Sequence, residues 1–267
     1  MNGPAAAVAE QAGLASTGRL LAAVAVVAAL LALLRAVAWA GVRRRPAVLR
    51  SSARAPLLVA AGCGMALLAA LTGAVLRAPD AITALDDAAS TLLAPYRAPW
   101  LLIPFLWLTT LGTGAALFGV AVTATGFLRA AGRGALILPL WVTFAGAQAT
   151  VWTSKYLVGR ARPAFLDGVA SAVSPSFPSA HATGSAAVLG FVAYAVAGGL
   201  SARRERFEVA FWAVVLIALI GFSRVFLSVH FAADIAGGFL AGGSWLLLGV
   251  ALASARGDGS GPDLLSR

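Results

Sequence analysis

Seven mainly apolar stretches govern what this chain can fold into: 18–42, 55–77, 99–127, 134–156, 181–200, 208–229 and 231–253. Crossing the hydrocarbon layer of a bilayer as a helix takes roughly 17–25 such residues, and each stretch reaches that length. A helix satisfies its own backbone donors and acceptors in lipid, which an isolated strand does not. The alternating ten-residue strands of a transmembrane barrel are not visible in the sequence. Of the 267 residues, 60% are hydrophobic and 11% charged, less than half the charged share of about 25% in soluble domains. The expected fold is an all-α polytopic membrane helix bundle.

The net charge of +10 would suggest nucleic acid in a soluble protein. Here the arginines concentrate in short loops between apolar stretches, so the positive-inside rule accounts for them and no nucleic-acid partner is expected. Residues 43–54 hold five arginines, Arg129 and Arg133 lie between the third and fourth stretches, and Arg203, Arg204 and Arg206 between the fifth and sixth. These alternate loops are expected on the cytoplasmic side of the cell membrane. The remaining loops, 78–98, 157–180 and the region of residue 230, are then extracytoplasmic. Loop 78–98 has apolar residues at helical spacing between polar ones, bounded by Pro79 and Pro95. It reads as a short interfacial helix, with a simple polar connector as the alternative.

The first stretch ends in AVAWAG and resembles a signal peptide with an A-x-A cleavage site. Its preceding segment lacks a basic cluster, and cleavage would leave Arg43–Arg45 at an exported terminus, so a retained helix is the favoured reading. The single cysteine, Cys63, has no partner for a disulfide and reads as a small packing residue. Three parts are expected: 1–54, an N-terminal segment with one transmembrane helix and an Arg-rich loop; 55–253, a membrane domain; and 254–267, a disordered cytoplasmic tail.

The chemistry concentrates in three polar clusters: KYLVGRARP (155–163), PSAH (178–181) and SRVFLSVHFAAD (223–234). They contain the one lysine, Lys155, and both histidines, His181 and His230. Snorkelling to headgroups is the bland account of a boundary lysine or arginine. A compact ammonium at Lys155 and a forked guanidinium at Arg162, however, are complementary ways to hold one phosphate. Ser179 is suited to cap the helix that follows, leaving the free N–H groups of its first turn as an anion site faced by His181.

In the third cluster, His230 and Asp234 are four residues apart and share a helical face. An aspartate on one ring nitrogen fixes the tautomer and frees the other to attack; a purely structural His–Asp pair is the alternative. Arg224 falls roughly 120° from His230 on a continuous helix, so a bend between them is expected. Lys155, Arg162 and Arg224 outweigh Asp234 by about two charges, matching a dianionic phosphate. One histidine can attack phosphorus while the other protonates the leaving oxygen. The sequence offers no carboxylate cluster for Mg²⁺, so a metal-free phosphoryl transfer without cofactor is expected.

The ordered motifs K-x6-RP, PS-x-H and SR-x5-H-x3-D resemble the three signatures of the type 2 phosphatidic acid phosphatase superfamily. Its members include lipid phosphate, undecaprenyl pyrophosphate and phosphatidylglycerophosphate phosphatases, and it shares its site with vanadium haloperoxidases. The resemblance covers about 55–253. It implies a six-helix phosphatase core to which stretch 18–42 is an addition. It also implies His230 as the nucleophile forming a phosphohistidine, Asp234 as its support and His181 as the general acid. Lys155, Arg162, Arg224, Ser179 and the backbone N–H of Ala180 would bind phosphate; the family usually has glycine at that last position. The implied activity is hydrolysis of a lipid phosphate or polyprenyl diphosphate, with undecaprenyl or decaprenyl diphosphate the first substrate and phosphatidate or phosphatidylglycerophosphate the second; the alanine- and arginine-rich composition suggests a high-GC bacterium. A phosphotransferase with the same site, or a non-catalytic transporter or scaffold whose polar groups line a path, are the rival readings.

Overall fold

The computed structural model describes residues 25–42, 54–163 and 174–255. The expected Arg-rich loop and C-terminal tail lie almost wholly outside them. Helix α1 (Ala25–Val42) is long and apolar enough to cross a membrane and belongs to a separate unit from the rest. The larger unit holds α2 (Arg54–Arg77), α3 (Pro79–Leu93), α4 (Pro99–Thr110), α5 (Gly114–Ala130), α6 (Ile137–Val158), α7 (Ala180–Ala197), α8 (Arg203–Phe226) and α9 (Ala232–Ala255). Among the described residues there is no strand, and six helices can span a membrane, or seven if α4 and α5 count as one. The chain is an all-α, multi-pass membrane protein.

Two of the expected spans differ from the sequence reading. The stretch 99–127 is two helices bent by 47° at residues 111–113, because Thr113 caps α5 with its side chain, accepting the Ala116 N–H at 3.2 Å. The stretch 208–229 runs instead from Arg203 to Phe226, so His230 lies in a turn rather than on a helix. That turn is the bend expected between Arg224 and His230. In it Ser228 takes a left-handed φ of 53°, and the Arg224 carbonyl accepts the N–H groups of Val229 (3.0 Å) and His230 (3.2 Å).

The segment 78–98 does form a helix, α3, with Pro79 in its first turn and Asp80 against the positive end of its dipole. At the end of α6, Gly159 adopts the left-handed φ of 62° that glycine tolerates. Its N–H closes the helix on the Lys155 carbonyl at 2.9 Å, and the chain turns directly into Arg160.

Helix α9 is central and packs on α2, α6 and α7. Its contact with α7 is close because Gly238 and Gly242 face it: a Cβ on Gly238 would come within 2.7 Å of Ala182 Cβ and 2.8 Å of the Ser179 carbonyl oxygen. Beside it, Leu117, Ala121, Leu140, Val188 and Phe191 bury one another between α5, α6 and α7. The result is a close approach of the N-terminal halves of α7 and α9.

Candidate active site

Lys155 ends α6, Ser179 and His181 start α7, Ser223 and Arg224 end α8, and Asp234 lies in the first turn of α9. The three sequence clusters therefore meet at one end of the bundle. Ser179 joins two of them directly, its N–H donating to the Asp234 carbonyl at 3.0 Å. Its hydroxyl accepts from the Ala182 N–H at 3.5 Å, the N-cap role expected of it, and Ala180 opens the helix.

His230 Nδ1 lies 3.2 Å from Asp234 Oδ2. The same oxygen accepts the Phe231 N–H at 3.0 Å, as a carboxylate in the third helical position does for the residue that caps the helix. Arg162 Nη1 is 3.1 Å from His230 Nε2 and donates to the Val229 carbonyl at 2.7 Å. A guanidinium can only donate, so Nε2 is the ring's acceptor and Nδ1 carries the proton given to Asp234. Asp234 is fully buried and His230 is 3% exposed. Burial pushes the imidazole down to about 4, with Arg162 and Arg224 acting in the same direction and the Asp234 carboxylate opposing them. The ring is neutral at physiological pH, with its lone pair aimed among cations.

Those cations are held from several elements. The buried Lys155 ammonium donates to the carbonyls of Pro175 and Ser176. Arg162 Nε donates to the Ser174 carbonyl at 2.9 Å. Arg224 Nη1 donates to Thr109 Oγ1 on α4 at 2.7 Å, while its buried Nε has no partner among the described residues. His181 faces Gly112 at the α4–α5 bend, where a Cβ would lie 3.0 Å from its Cδ2, and it senses the charges of Arg224, His230, Arg162 and Lys155. A pocket of about 240 Å³ opens onto His230 and Arg162, walled on one side by Asp86, Asp87 and Ser90 of α3.

All eight residues singled out in the sequence thus lie at this end. Two more were not assigned a role. Arg160, which sits between Lys155 and Arg162 in the first cluster, bridges Asp234 Oδ1 (2.8 Å) and Asp86 Oδ2 (2.7 Å). Asp86, read as part of an interfacial loop, is buried and also accepts the Ala233 N–H at 2.9 Å. The available signal was a carboxylate on an otherwise oily face of α3, and it carries no spacing that points to α9.

A family model described as the PAP2 superfamily matches residues 135–258. Phosphatidylglycerophosphatase B of Bacillus subtilis (strain 168) is 32% identical over 167 residues, 61% of this chain and 80% of that protein. The chain belongs to the PAP2 superfamily. Its fold is similar to the crystal structure of the first transmembrane PAP2 type phosphatidylglycerolphosphate phosphatase from Bacillus subtilis. That match has a TM-score of 0.65 at 28% identity and covers 71% of this chain and 94% of that one. It also resembles Aquifex aeolicus LpxE, with a TM-score of 0.50 at 21% identity over 60% and 92% of the two chains; that likeness speaks to fold alone. The protein is a membrane PAP2-type lipid phosphatase. The matched segment contains all eight expected PAP2 site residues and Arg160, whereas Asp86 lies outside it.

Proposed function

We propose that this PAP2 phosphatase hydrolyses a lipid phosphate at the extracytoplasmic face of the plasma membrane through a phosphohistidine. The observation that carries the reading is the His230 ring, with Nδ1 on Asp234 and Nε2 directed at Arg162 beside the pocket. Nε2 attacks phosphorus, the bond to the lipid oxygen breaks, and His181 gives that oxygen its proton. A water then attacks the phosphohistidine, returns a proton to His181 and releases inorganic phosphate. Lys155, Arg162 and Arg224, with Ser179 and the Ala180 N–H at the start of α7, neutralise charge on the phosphoryl oxygens. The unpartnered Arg224 Nε is one donor suited to such an oxygen.

Phosphatidylglycerophosphate is the first substrate of this proposal, since the relative at 32% identity is named for it; polyprenyl diphosphates, favoured by the sequence reading, come second. Orientation follows from arginine: Arg129, Arg133, Arg203, Arg204 and Arg206 lie at the ends of α5 and α8 remote from the site. Purified protein in EDTA, offered a panel of lipid monophosphates and polyprenyl diphosphates, is expected to release phosphate most rapidly from phosphatidylglycerophosphate. His230→Ala is expected to abolish release, and unchanged release would refute the nucleophile. Phosphorylated lipid or sugar in place of inorganic phosphate would identify a phosphotransferase.

A further inference from the structure

We infer that Arg160 and Asp86 are positioning residues for the phosphatase reaction: the Arg160 guanidinium, clamped between two buried carboxylates, fixes the carboxylate that orients His230. The inference rests on the reading of His230 as nucleophile. Arg160 spends one terminal nitrogen on each aspartate, Nη1 on Asp234 Oδ1 and Nη2 on Asp86 Oδ2. Occupying Oδ1 leaves Asp234 Oδ2 for His230 Nδ1 and the Phe231 N–H, so the carboxylate has no free rotation. Asp86 holds the same turn twice, through Arg160 and through the Ala233 N–H. The Phe231 ring lies under the guanidinium, 4.3 Å from its carbon, and fixes the plane of the fork.

Burial separates this chain of contacts from a surface ion pair. The side chains of Arg160, Asp86 and Asp234 are 10%, 3% and 0% exposed, so water neither screens nor replaces the contacts. Lysine is a poor substitute, since a single ammonium lacks the planar fork that spans two carboxylates. Removing the guanidinium leaves two buried carboxylates with no cation between them. The arrangement also makes α3 part of the site: the helix that walls the pocket through Asp87 and Ser90 grips α9 through Asp86.

A buried triad could serve stability alone, and the acid limb of the pH profile distinguishes the two roles. The titratable and charged groups around His230 are Asp234 from α9, Arg162 from the segment after α6, Arg224 from α8, His181 from α7 and, across the pocket, Asp86 and Asp87 from α3. Of these, Arg160 contacts Asp234 and Asp86. Without Arg160 the Asp234 charge is less compensated, the imidazolium is favoured, and the limb moves to higher pH. Without Asp86 the guanidinium serves Asp234 alone, and the limb stays or moves lower.

The experiment measures kcat, KM and pH profiles for Arg160→Gln, Arg160→Lys, Asp86→Asn, the Arg160→Gln/Asp86→Asn pair and His230→Gln, each checked for a monodisperse, cooperatively unfolding detergent complex. Arg160→Gln is expected to lower kcat about 10–100-fold, as loss of a partner behind a primary side chain does, with KM little changed and the limb moved upward. Arg160→Lys is expected to recover the limb position but not full kcat, and the double variant to regain part of the activity that Arg160→Gln loses. A folded Arg160→Gln protein with wild-type kcat, or with an unmoved limb, would overturn the inference. If Arg160→Gln does not fold, wild-type kcat in both Arg160→Lys and Asp86→Asn would overturn it. Activity surviving in His230→Gln defeats the nucleophile itself, whereas a dead His230→Gln beside an unimpaired Arg160→Gln defeats the positioning role alone.

Discussion

The imidazole of His230 is a base surrounded by positive charge, and its reactivity depends on which effect dominates its protonation. Burial and the two arginines outweigh Asp234 and hold the ring down to about 4, against about 6.5 for a free histidine. In the proposed mechanism attack requires the unprotonated Nε2, so activity is expected to be lost as pH falls through about 4, not through 6.5. Corrected for the substrate phosphate's own second ionisation at about pH 6, the expected kcat/KM profile therefore stays flat on its acid side down to roughly pH 4–5. A limb near 6.5 would mean that the ring is not shielded as the geometry requires. Much of this residue-level picture is legible in sequence, because rare residue types fall in ordered clusters and because four-residue spacing puts His230 beside Asp234. Arg160 and Asp86 are not legible in the same way. Their partners are 74 or 147 residues distant in the chain, and a boundary arginine or an aspartate on an interfacial helix has an ordinary explanation in headgroup contact.

Helices α7 and α9 carry the site because their N-terminal ends approach more closely than side chains normally allow. Gly238→Ala puts a methyl group 2.8 Å from the Ser179 carbonyl oxygen. Backbone cannot swing aside as a flexible side chain can, so the cost is expected at about 1–3 kcal/mol, the usual range for overpacking. The variant should unfold at lower temperature in detergent and lose kcat, because the displaced turn carries Ser179 and His181. Gly62→Ala on α2, where nothing lies within 4 Å, should leave both unchanged; equal effects from the two would deny the close contact its role. The apolar stretches themselves announce these helices, since length and hydropathy alone license a span. Their interruptions are subtler. The break in 99–127 depends on Thr113 capping the helix that begins at Gly114, a signal as short as one residue inside a continuous apolar run. The exact end of α8 at Phe226 is equally hidden: helical geometry calls for a bend between Arg224 and His230, but VFLSVHF continues the apolar pattern through it, with Ser228 taking the positive φ.

At the scale of the whole molecule, the two ends of the larger unit differ in chemistry. One end gathers four cations, three carboxylates and two histidines, the groups proposed to meet a phosphate, drawn from α3, α6, α7, α8, α9 and the segments joining them. The other presents Arg129, Arg133, Arg203, Arg204 and Arg206 near helix ends, where arginines favour the cytoplasmic side during insertion. A lipid substrate fits this division, because its headgroup can meet the polar end while its tails remain in the bilayer. The proposed orientation rests on this charge bias and is open to direct measurement. In a Cys63→Ser background, which removes the one exposed native thiol, single cysteines at Asp80 and at Ser201 sample the two ends; both positions are exposed. A membrane-impermeant maleimide applied to intact spheroplasts is expected to label the Asp80→Cys protein at once and the Ser201→Cys protein only after permeabilisation. The reverse pattern would put the proposed phosphate-binding groups in the cytoplasm. The hydrolysis could proceed there with the same residues, but the lipid phosphates it drew on would be those of the inner leaflet.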